Sequence, residues 1–537
     1  MQTYANAIVE CLPAFGCDKA SGVSGTNIHH IWKALHRPEI KVYHFHHESG
    51  AAFAAAEYSI QTGKFAVVFV TSGPGITNAI TGLRCARADG ARIVFIAGLT
   101  SEEADRTGRR LVQETFPMDV EGLTGPTADS ALSCCVIVRD ELDVWRLRQT
   151  LMLIRRDPLG GVLGVFLTDA RSKSLIPQQH PKFELLPFPS LSKEALDACK
   201  GVVEMLKTKG SVLWIGYGCR GASALVMKLA ERYDLPVLAT PRAKGIFPET
   251  HALYQGVLLL GSKAAELSSM FIQCEWVDTV FYCVSLETSE VKRNMPKGSV
   301  AIEAEVGLFL RALLEIKVTG HRIVKPAIPK ATIPPMRATS KGRIHPSKIM
   351  YVVQVAINRG ACSIIAEAGK SLCWTAHYLK FPKPGLYRSN LDSAPLGHAV
   401  CGVVGMGLAD NHAVAIVSDA AMLKQSEVST AVLYGSKAIW LVMNGSQYDT
   451  FDQTSQASGD VPPPYCIPYT DFELLARAVG CEGSTVTGEK ELREALKEAL
   501  MRDGPTVINV LVDSSPVAPL KSKKHGSPVM PLGSTDS

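Results

Sequence analysis

Short apolar segments recur along the chain, and each is followed by a turn and then by a helical stretch. These segments are rich in β-branched residues and are not interrupted by polar positions; they lie at 65–71, 92–98, 212–218, 236–240, 413–419, 438–444 and 506–512. Strands without polar alternation are typical of sheets covered on both faces. Parallel strands need a crossover, which is usually a helix. The pattern therefore predicts the α/β class, with doubly wound parallel sheets.

The chain of 537 residues is too long for a single hydrophobic core. Two proline-rich, aperiodic segments, 174–193 and 318–346, have the composition of linkers. They predict three α/β domains and a C-terminal tail, at 1–180, 190–320, 345–513 and 514–537. Turns suited to polar ligands follow strands in the first and third segments, whereas the middle segment has the character of a spacer.

Composition excludes several classes of protein. Hydrophobic residues make up 46% and charged residues 20% of the chain, which is ordinary for a globular protein. The formal charge of +5 is small and the basic residues are scattered, so nothing favours a nucleic-acid partner. The fourteen cysteines form no CxxC pair and indicate reduced core thiols. No apolar run reaches the ~18 residues of a membrane span, and we expect a cytoplasmic enzyme.

A carboxylate and a glycine-rich turn mark the first segment. Glu48 ends an extended stretch and begins an alanine-rich helix, where it is either a charge interacting with the helix dipole or a buried functional acid. The strand at 65–71 runs into Ser72-Gly73-Pro74-Gly75, and a helix is expected to begin near Thr77-Asn78. Such a turn offers backbone amides to an anion or a polar ring, although alone it is a weak signal.

Three strand ends in the third segment carry polar residues. They are Glu367-Ala368-Gly369 followed by Lys370-Ser371, Ser418-Asp419-Ala420-Ala421, and Asn444-Gly445. Parallel sheets bind ligands at the carboxyl ends of their strands. An aspartate with amide oxygens nearby suits Mg²⁺, which commonly bridges a carboxylate to phosphate oxygens. Ordinary capping of turns by aspartate and asparagine is the alternative.

The segments HHESGAAFAAAEYSIQTGK and VVFVTSGPGITNAITGL resemble the pyrimidine-binding domain of thiamine diphosphate-dependent enzymes of the acetolactate synthase and 2-keto acid decarboxylase type. The similarity begins at SGVSGTNIHHIWKAL and continues through QETFPMDV. It implies that Glu48 bonds the aminopyrimidine ring and favours its imino tautomer, an internal base for the thiazolium C2 proton. It further implies cofactor contacts from Gly73, Pro74 and Asn78, and substrate contacts from Thr26, His29 and Gln113.

The third segment resembles the diphosphate-binding domain of the same family, whose signature is GDG followed by NN. Here the signature reads Ser418-Asp419-Ala420 and Asn444-Gly445, so both glycines and the second asparagine are replaced. The resemblance implies that Asp419 and Gln447 hold Mg²⁺, and either Asn444 shifts to reach the metal as well or the site is weakened. We expect Lys370, in the diphosphate loop, to replace part of the missing electrostatics. It also implies that Leu396, in LDSAPLGHAVCG, wedges between the two cofactor rings. The remaining implied cofactor contacts are Gly369, Ser371, Ser418, Ala420 and Ala421.

The family order of domains implies an α/β fold with a Rossmann-like middle domain and an active site shared between two subunits of a homodimer or homotetramer. We expect a decarboxylating carboligase that joins a 2-keto acid to a carbonyl acceptor. The rivals are a simple decarboxylase that releases an aldehyde, and a non-catalytic homologue with impaired cofactor binding.

Two other motifs have competing interpretations. Residues 216–221, GYGCRG, match a dinucleotide fingerprint, but no acid ends the next strand, so the sequence disfavours FAD as a second cofactor. His44, His46 and His47 suggest a metal site, but strand alternation would point His47 away from the other two.

Overall fold

A computed structural model describes most of the chain. The described residues are 2–100, 107, 112–113, 121–125, 130–176, 190–208, 211–256, 282–286, 288–289, 292, 299–316, 342–409, 411–424, 426–446, 467–516, 518, 521–522 and 528–529. Within them, no helix combines the length and the apolar character that crossing a bilayer requires.

The N-terminal sheet has six parallel strands in the order β3-β2-β4-β5-β7-β6. Helices connect these strands, and a short antiparallel pair, β1 with β8, joins the two ends of the region. The elements are β1 Gln2–Thr3, α1 Tyr4–Cys11, β2 Lys19–Gly22, α2 His29–Leu35, β3 Lys41–His44, α3 Glu48–Thr62, β4 Ala66–Val70, α4 Pro74–Ala88, β5 Arg92–Leu99, β6 Cys134–Ile137, α5 Glu141–Arg156, β7 Gly161–Thr168, α6 Asp169–Lys173 and β8 Leu175–Ile176.

The middle region has two smaller parallel sheets, one with the order β11-β10-β9 and one that pairs β12 with β13. Their apolar residues belong to one common core. The elements are α7 Lys193–Thr208, β9 Leu213–Ile215, α8 Ser223–Tyr233, β10 Val237–Ala239, β11 Tyr254–Gly256, β12 Tyr282–Ser285, β13 Val300–Glu303 and α9 Val306–Glu315.

The C-terminal sheet repeats the topology of the N-terminal sheet, with six parallel strands in the order β15-β14-β16-β17-β19-β18. Its elements are α10 Pro346–Asn358, β14 Ser363–Ala366, α11 Lys370–Tyr378, β15 Tyr387–Ser389, α12 His398–Gly407, β16 Ala413–Ser418, α13 Asp419–Met422, α14 Glu427–Tyr434, β17 Ala438–Asn444, α15 Phe472–Ala478, β18 Glu482–Val486, α16 Glu489–Ala499 and β19 Thr506–Leu511. Two further strands, β20 Lys521–Ser522 and β21 Pro528–Val529, pair antiparallel within the expected tail.

Single turns of 3₁₀ helix complete the described elements. They are Pro13–Phe15, Thr26–Ile28, Glu121–Leu123, Tyr217–Cys219 and Pro241–Ala243.

Helix α3 lies between α4 of its own region and α12 of the C-terminal region, and small residues allow this close packing. A Cβ atom added to Gly82 of α4 would lie 2.5 Å from the Cβ of Ala52. One added to Gly405 of α12 would lie 1.9 Å from the carbonyl oxygen of Ala54. Because α3 is buried on every side, its first residue, Glu48, has a fixed place relative to both large sheets.

The predicted α/β class with parallel sheets is confirmed. The seven predicted strands all form, although the one expected at 212–218 is only Leu213–Ile215. The helix expected to begin near Thr77 begins at Pro74, because proline is well suited to the first helical position after a turn. The three domain boundaries stay a prediction.

Candidate active site

Glu48 lies at the start of α3 and is buried, with 8% of its surface exposed. His47 caps the helix, since its Nδ1 atom accepts a hydrogen bond of 3.2 Å from the backbone amide of Ser49. The side-chain amide of Asn78, in α4, donates to Glu48 Oε2 at 3.1 Å. A buried carboxyl group bonded to a neutral amide suits proton exchange with a ligand better than a structural ion pair would.

The segment before Glu48 is held from the C-terminal region by Glu427, at the start of α14. The backbone amides of His46 and His47 donate to its carboxylate at 3.3 and 3.0 Å, and Thr430 Oγ1 donates at 2.6 Å. Burial raises the pKa of Glu427, against the opposing effect of these hydrogen bonds. Glu427 therefore fixes the junction that places Glu48, a role that its sequence context does not reveal.

The histidines near Glu48 have separate partners. His44 Nε2 accepts from the Ser24 backbone amide at 3.0 Å, and His46 Nε2 lies 2.8 Å from Ser429 Oγ. The strand ends at His44, so the alternation expected through His47 does not apply. The backbone amides of His46 and His47 bond Glu427 instead. Among the residues described, the one group of three potential metal ligands close together does not include these histidines.

The glycine-rich turn follows β4 beside Glu48. Gly73 has a φ of 61°, and a Cβ atom there would lie 2.8 Å from the carbonyl oxygen of Gln113. Glycine is therefore needed both for the backbone conformation and for the space. The side-chain amide of Asn27 donates to Ser72 Oγ at 2.5 Å, which brings the 3₁₀ turn Thr26–Ile28 against this turn.

The predicted substrate residues lie around this turn. Thr26 and His29 are exposed on the loop and helix start that Asn27 anchors, and Gln113 is exposed with its backbone next to Gly73. The structure brings these three positions to the same edge of the N-terminal sheet. Their contact with a substrate stays a prediction.

The first diphosphate-side loop follows β14. Gly369 precedes α11 with a φ of 98°, Lys370 is half-buried at the first helical position, and Ser371 is buried. Helix α11 therefore presents its amino end and a lysine at the carboxyl edge of the sheet, an arrangement that favours anions.

Glu367 shapes the turn that carries Leu396. It is fully buried, and its Oε2 atom accepts hydrogen bonds from the backbone amides of Gly397 and Ala399 at 3.2 and 3.1 Å. Burial raises the pKa of Glu367, while His398 and the backbone amides oppose the shift. Leu396 is 40% exposed at this turn. An apolar side chain held at a protein surface in this way suits contact with a ligand or a partner better than core packing.

Leu396 faces a cleft between the two large regions. The cleft has a volume of about 830 Å³ and is lined by Ser49 and Asn78 on one side and by Leu396, Gly397 and Lys424 on the other. Residues from both regions that the sequence singled out thus meet at one cavity.

Asp419 begins α13 at the carboxyl end of β16 and is buried. Its Oδ1 atom accepts from the Ala420 amide at 2.8 Å, and its Oδ2 atom accepts from the Ser446 amide at 2.6 Å. Ser418 caps the same short helix, with Oγ accepting from Ala421 at 3.3 Å. The carboxylate therefore faces the turn after β17, as a metal bridging these two strand ends requires.

The other expected metal ligands fit less well. The Asn444 side chain donates to the Thr470 carbonyl and to Asn509 Oδ1, each at 2.9 Å, and so faces away from Asp419. Its role as a ligand stays a prediction that would need this side chain to rotate. Gln447 lies outside the described residues. Residue 445 is glycine and has no side chain to offer. The described residues fit a divalent ion through Asp419, with the second ligand position altered.

A buried ionic network joins all three regions behind the cleft. Arg388 of β15 donates to Glu57 of α3 at 2.7 and 2.9 Å and to Asp89 at 2.9 Å, and His398 lies 2.9 Å from Glu57. Arg242 of the middle region also pairs with Asp89. Burial alone would raise the pKa of Glu57, but Arg388 and His398 outweigh it and hold that pKa at about 2. Since Arg388 already lies between the two carboxylates, this cluster is an ion-pair network and not an open metal site.

The dinucleotide-like motif takes part in contacts between regions. Tyr217 Oη accepts a 2.6 Å hydrogen bond from Arg388, and Arg220 donates to the carbonyls of Gly90 and Pro158. The motif thus joins the middle region to the other two, and the disfavoured binding of FAD stays a prediction.

Comparison with known proteins gives a consistent result. Three domain models match in order: the N-terminal TPP binding domain of thiamine pyrophosphate enzymes at residues 2–121, the central domain at 199–281 and the C-terminal TPP binding domain at 367–510. The chain is 26% identical over 572 residues to the acetolactate synthase large subunit of Parasynechococcus marenigrum, covering 95% of this chain and 87% of that one.

Solved structures show the same fold over nearly the whole chain. Benzoylformate decarboxylase from Polynucleobacter necessarius superposes with a TM-score of 0.81 at 18% identity, covering 96% of this chain and 99% of the other. The thiamine diphosphate-dependent 4-hydroxybenzoylformate decarboxylase of Rhodococcus jostii gives 0.80 at 20% identity, covering 96% and 100%.

Proposed function

The chain belongs to the thiamine diphosphate-dependent enzymes that act on 2-keto acids, and we propose that within them it is a decarboxylating carboligase of the acetolactate synthase type. In the proposed reaction a 2-keto acid loses carbon dioxide, and the remaining acyl unit is joined to a second carbonyl compound. The observation that carries the thiamine diphosphate-dependent chemistry is the buried Glu48 carboxyl group, bonded to Asn78. The similarity to an acetolactate synthase large subunit supports the carboligase within that class.

Bound thiamine diphosphate supplies a carbon nucleophile and an electron sink for decarboxylation. Glu48 exchanges a proton with the aminopyrimidine ring, and Asn78 orients its carboxyl group. Leu396, partly exposed on the C-terminal region, would hold the bent shape of the cofactor at an active site that a second subunit completes. Gly369, Lys370 and Ser371 receive the diphosphate with Ser418, Ala420 and Ala421, and Asp419 holds Mg²⁺, the usual metal of the family.

Product analysis separates the ligase from its nearest rival, a plain 2-keto acid decarboxylase. The full chain with thiamine diphosphate and Mg²⁺ is incubated with pyruvate, alone and with a second aldehyde or keto acid. We expect a ligated hydroxyketone product. Release of free aldehyde without any ligated product would reject the ligase and leave the decarboxylase.

The altered residues at 418, 420 and 445 also support a rival of another class, a non-catalytic homologue with impaired cofactor binding. Calorimetry distinguishes it, because absence of binding at millimolar thiamine diphosphate and Mg²⁺ would favour the non-catalytic protein. Retention of Glu48 with its Asn78 partner supports the enzyme, since a protein without catalysis has no need of that buried carboxyl group.

Lys370→Ala is expected to weaken thiamine diphosphate binding by about 10- to 100-fold, the effect of losing one charge-assisted hydrogen bond. Lys370 is half-buried at the start of α11, where the diphosphate is proposed to lie. Cofactor affinity is measured by calorimetry. Lys380→Ala is the matched control, because Lys380 is exposed beyond the other end of the same helix. Equal affinity of wild type and Lys370→Ala would reject the role of Lys370.

We further propose that the enzyme is a cytoplasmic homodimer or homotetramer whose active sites are shared between subunits. The resemblance to the family supports this assembly, as does a partly exposed apolar residue, Leu396, at the cleft. Light scattering coupled to size exclusion measures the mass. A monomer at micromolar concentration in the presence of cofactor would contradict it.

A further inference from the structure

Residue 445, where the family has an asparagine side chain, is glycine. The space beside it is filled by Ser514, which follows β19. A Cβ atom added to Gly445 would lie 2.1 Å from Ser514 Oγ and 3.4 Å from Val512 Cγ2. We propose that the Ser514 hydroxyl takes the place of the missing side chain and is a ligand of the divalent ion that Asp419 holds. This inference rests on the proposed function in that the site must bind metal with thiamine diphosphate.

The segment that carries Ser514 is anchored at this place. The Val512 amide donates to the Asn444 carbonyl at 3.1 Å, and the Asp513 amide donates to the Ile344 carbonyl at 3.0 Å. Arg343 also donates to the Val512 carbonyl at 3.0 Å. These bonds extend β19 past its last residue and hold Ser514 beside the turn after β17.

Asp419 faces the same turn from the neighbouring strand. Ser446, the residue after Gly445, donates its amide to Asp419 Oδ2 at 2.6 Å and has a φ of 57°, which bends the turn toward the carboxylate. Ser514 Oγ lies 3.4 Å from the Gly445 carbonyl oxygen and is half-buried. A carboxylate and a hydroxyl from two strand ends therefore contact adjacent residues of one turn, Ser446 and Gly445.

A serine hydroxyl in place of an asparagine side chain keeps the chemical character of the ligand. Mg²⁺ takes oxygen ligands, and serine and threonine hydroxyls hold Mg²⁺ beside phosphates in nucleotide-binding loops. A hydroxyl oxygen is neutral, as is the amide oxygen of asparagine, so the net charge of the ligand set is unchanged. Asn444 cannot replace the missing asparagine ligand in its present orientation, because its side-chain amide bonds Thr470 and Asn509.

Metal affinity of the full chain with saturating thiamine diphosphate tests this assignment without substrate. Mg²⁺ is titrated by calorimetry, and Mn²⁺ is followed by electron paramagnetic resonance. Ser514→Ala is expected to raise the metal Kd about tenfold or more, in the range seen when metal-site partners are removed. Ser515→Ala is the matched control, since that exposed hydroxyl bonds Asp513 instead, and its metal Kd should stay within about twofold of wild type.

A reciprocal exchange gives a second readout. Gly445→Asn alone should bind metal more weakly than wild type, because its side chain meets Ser514 Oγ. Adding Ser514→Gly should restore the affinity. Equal metal Kd values for Ser514→Ala and wild type would overturn the assignment, as would a double variant no better than Gly445→Asn. A wild-type chain that binds thiamine diphosphate equally in Mg²⁺ and in a chelator would also overturn it, whereas failure to form a ligated product would affect only the proposed function.

Discussion

Replacing Glu48 with glutamine is expected to lower the turnover of a 2-keto acid by about 10²- to 10⁴-fold, the usual contribution of a positioned acid or base. Glutamine has nearly the same shape, and its amide oxygen can still accept the hydrogen bond from Asn78. It cannot, however, exchange a proton with the aminopyrimidine ring. The loss should therefore appear in kcat, while the thiamine diphosphate Kd changes little.

Glu39→Gln is the matched control for this variant, because Glu39 is exposed in the loop before β3 and is not a residue of the proposed site. Its turnover should equal that of wild type. Steady-state kinetics and cofactor calorimetry are measured on the same preparations. A Glu48→Gln enzyme with full turnover would reject the catalytic role of Glu48.

The largest expected effect on stability comes from Arg388→Met. This change removes the guanidinium group from between Glu57 and Asp89, whose side chains are 1% and 2% exposed. Removing one partner of a buried ion pair leaves an uncompensated charge, and the free energy of unfolding is expected to fall by about 3–5 kcal/mol. Urea unfolding followed by circular dichroism measures the loss.

Arg493→Met is the control, since the Arg493–Glu489 pair is an exposed i,i+4 pair worth about 0.3–0.5 kcal/mol. The pH dependence is a further check. The ion pairs lower the pKa of Glu57 from its ordinary value of 4.5 to about 2. Glu57 therefore contributes fully to stability above pH 4.5, and this contribution is lost as the pH falls toward 2. An Arg388→Met protein as stable as Arg493→Met at neutral pH would contradict the account.

The sequence was sufficient to predict the strands, the parallel sheets and the pyrimidine-side residues, because these depend on local patterns. Glu48, Gly73 and Asn78 lie within a stretch of 31 positions that spans one helix–strand–helix unit. The position of the second helix start was missed by three residues, because proline was treated as part of the turn.

The contacts between regions could not be predicted in the same way. Glu57 and Arg388 are 331 positions apart, and Glu427 reaches His47 across 380 positions. Glu57 did give a signal, because it is the second of only two charged residues in an alanine-rich helix, but the pattern does not reveal its partner. Ser514 falls where the predicted tail begins, and only the register of β17 with β19 brings it beside Gly445.

The central claim is that Glu48 activates the bound cofactor, and exchange of the thiazolium C2 proton for deuterium measures this directly without any substrate. The full chain is mixed with thiamine diphosphate and Mg²⁺ in deuterium oxide, quenched in acid, and the remaining C2 proton is counted by NMR. We expect exchange much faster than for free cofactor in wild type, and about 10²- to 10⁴-fold slower in Glu48→Gln. Bound cofactor that exchanges equally fast in both proteins would contradict the claim.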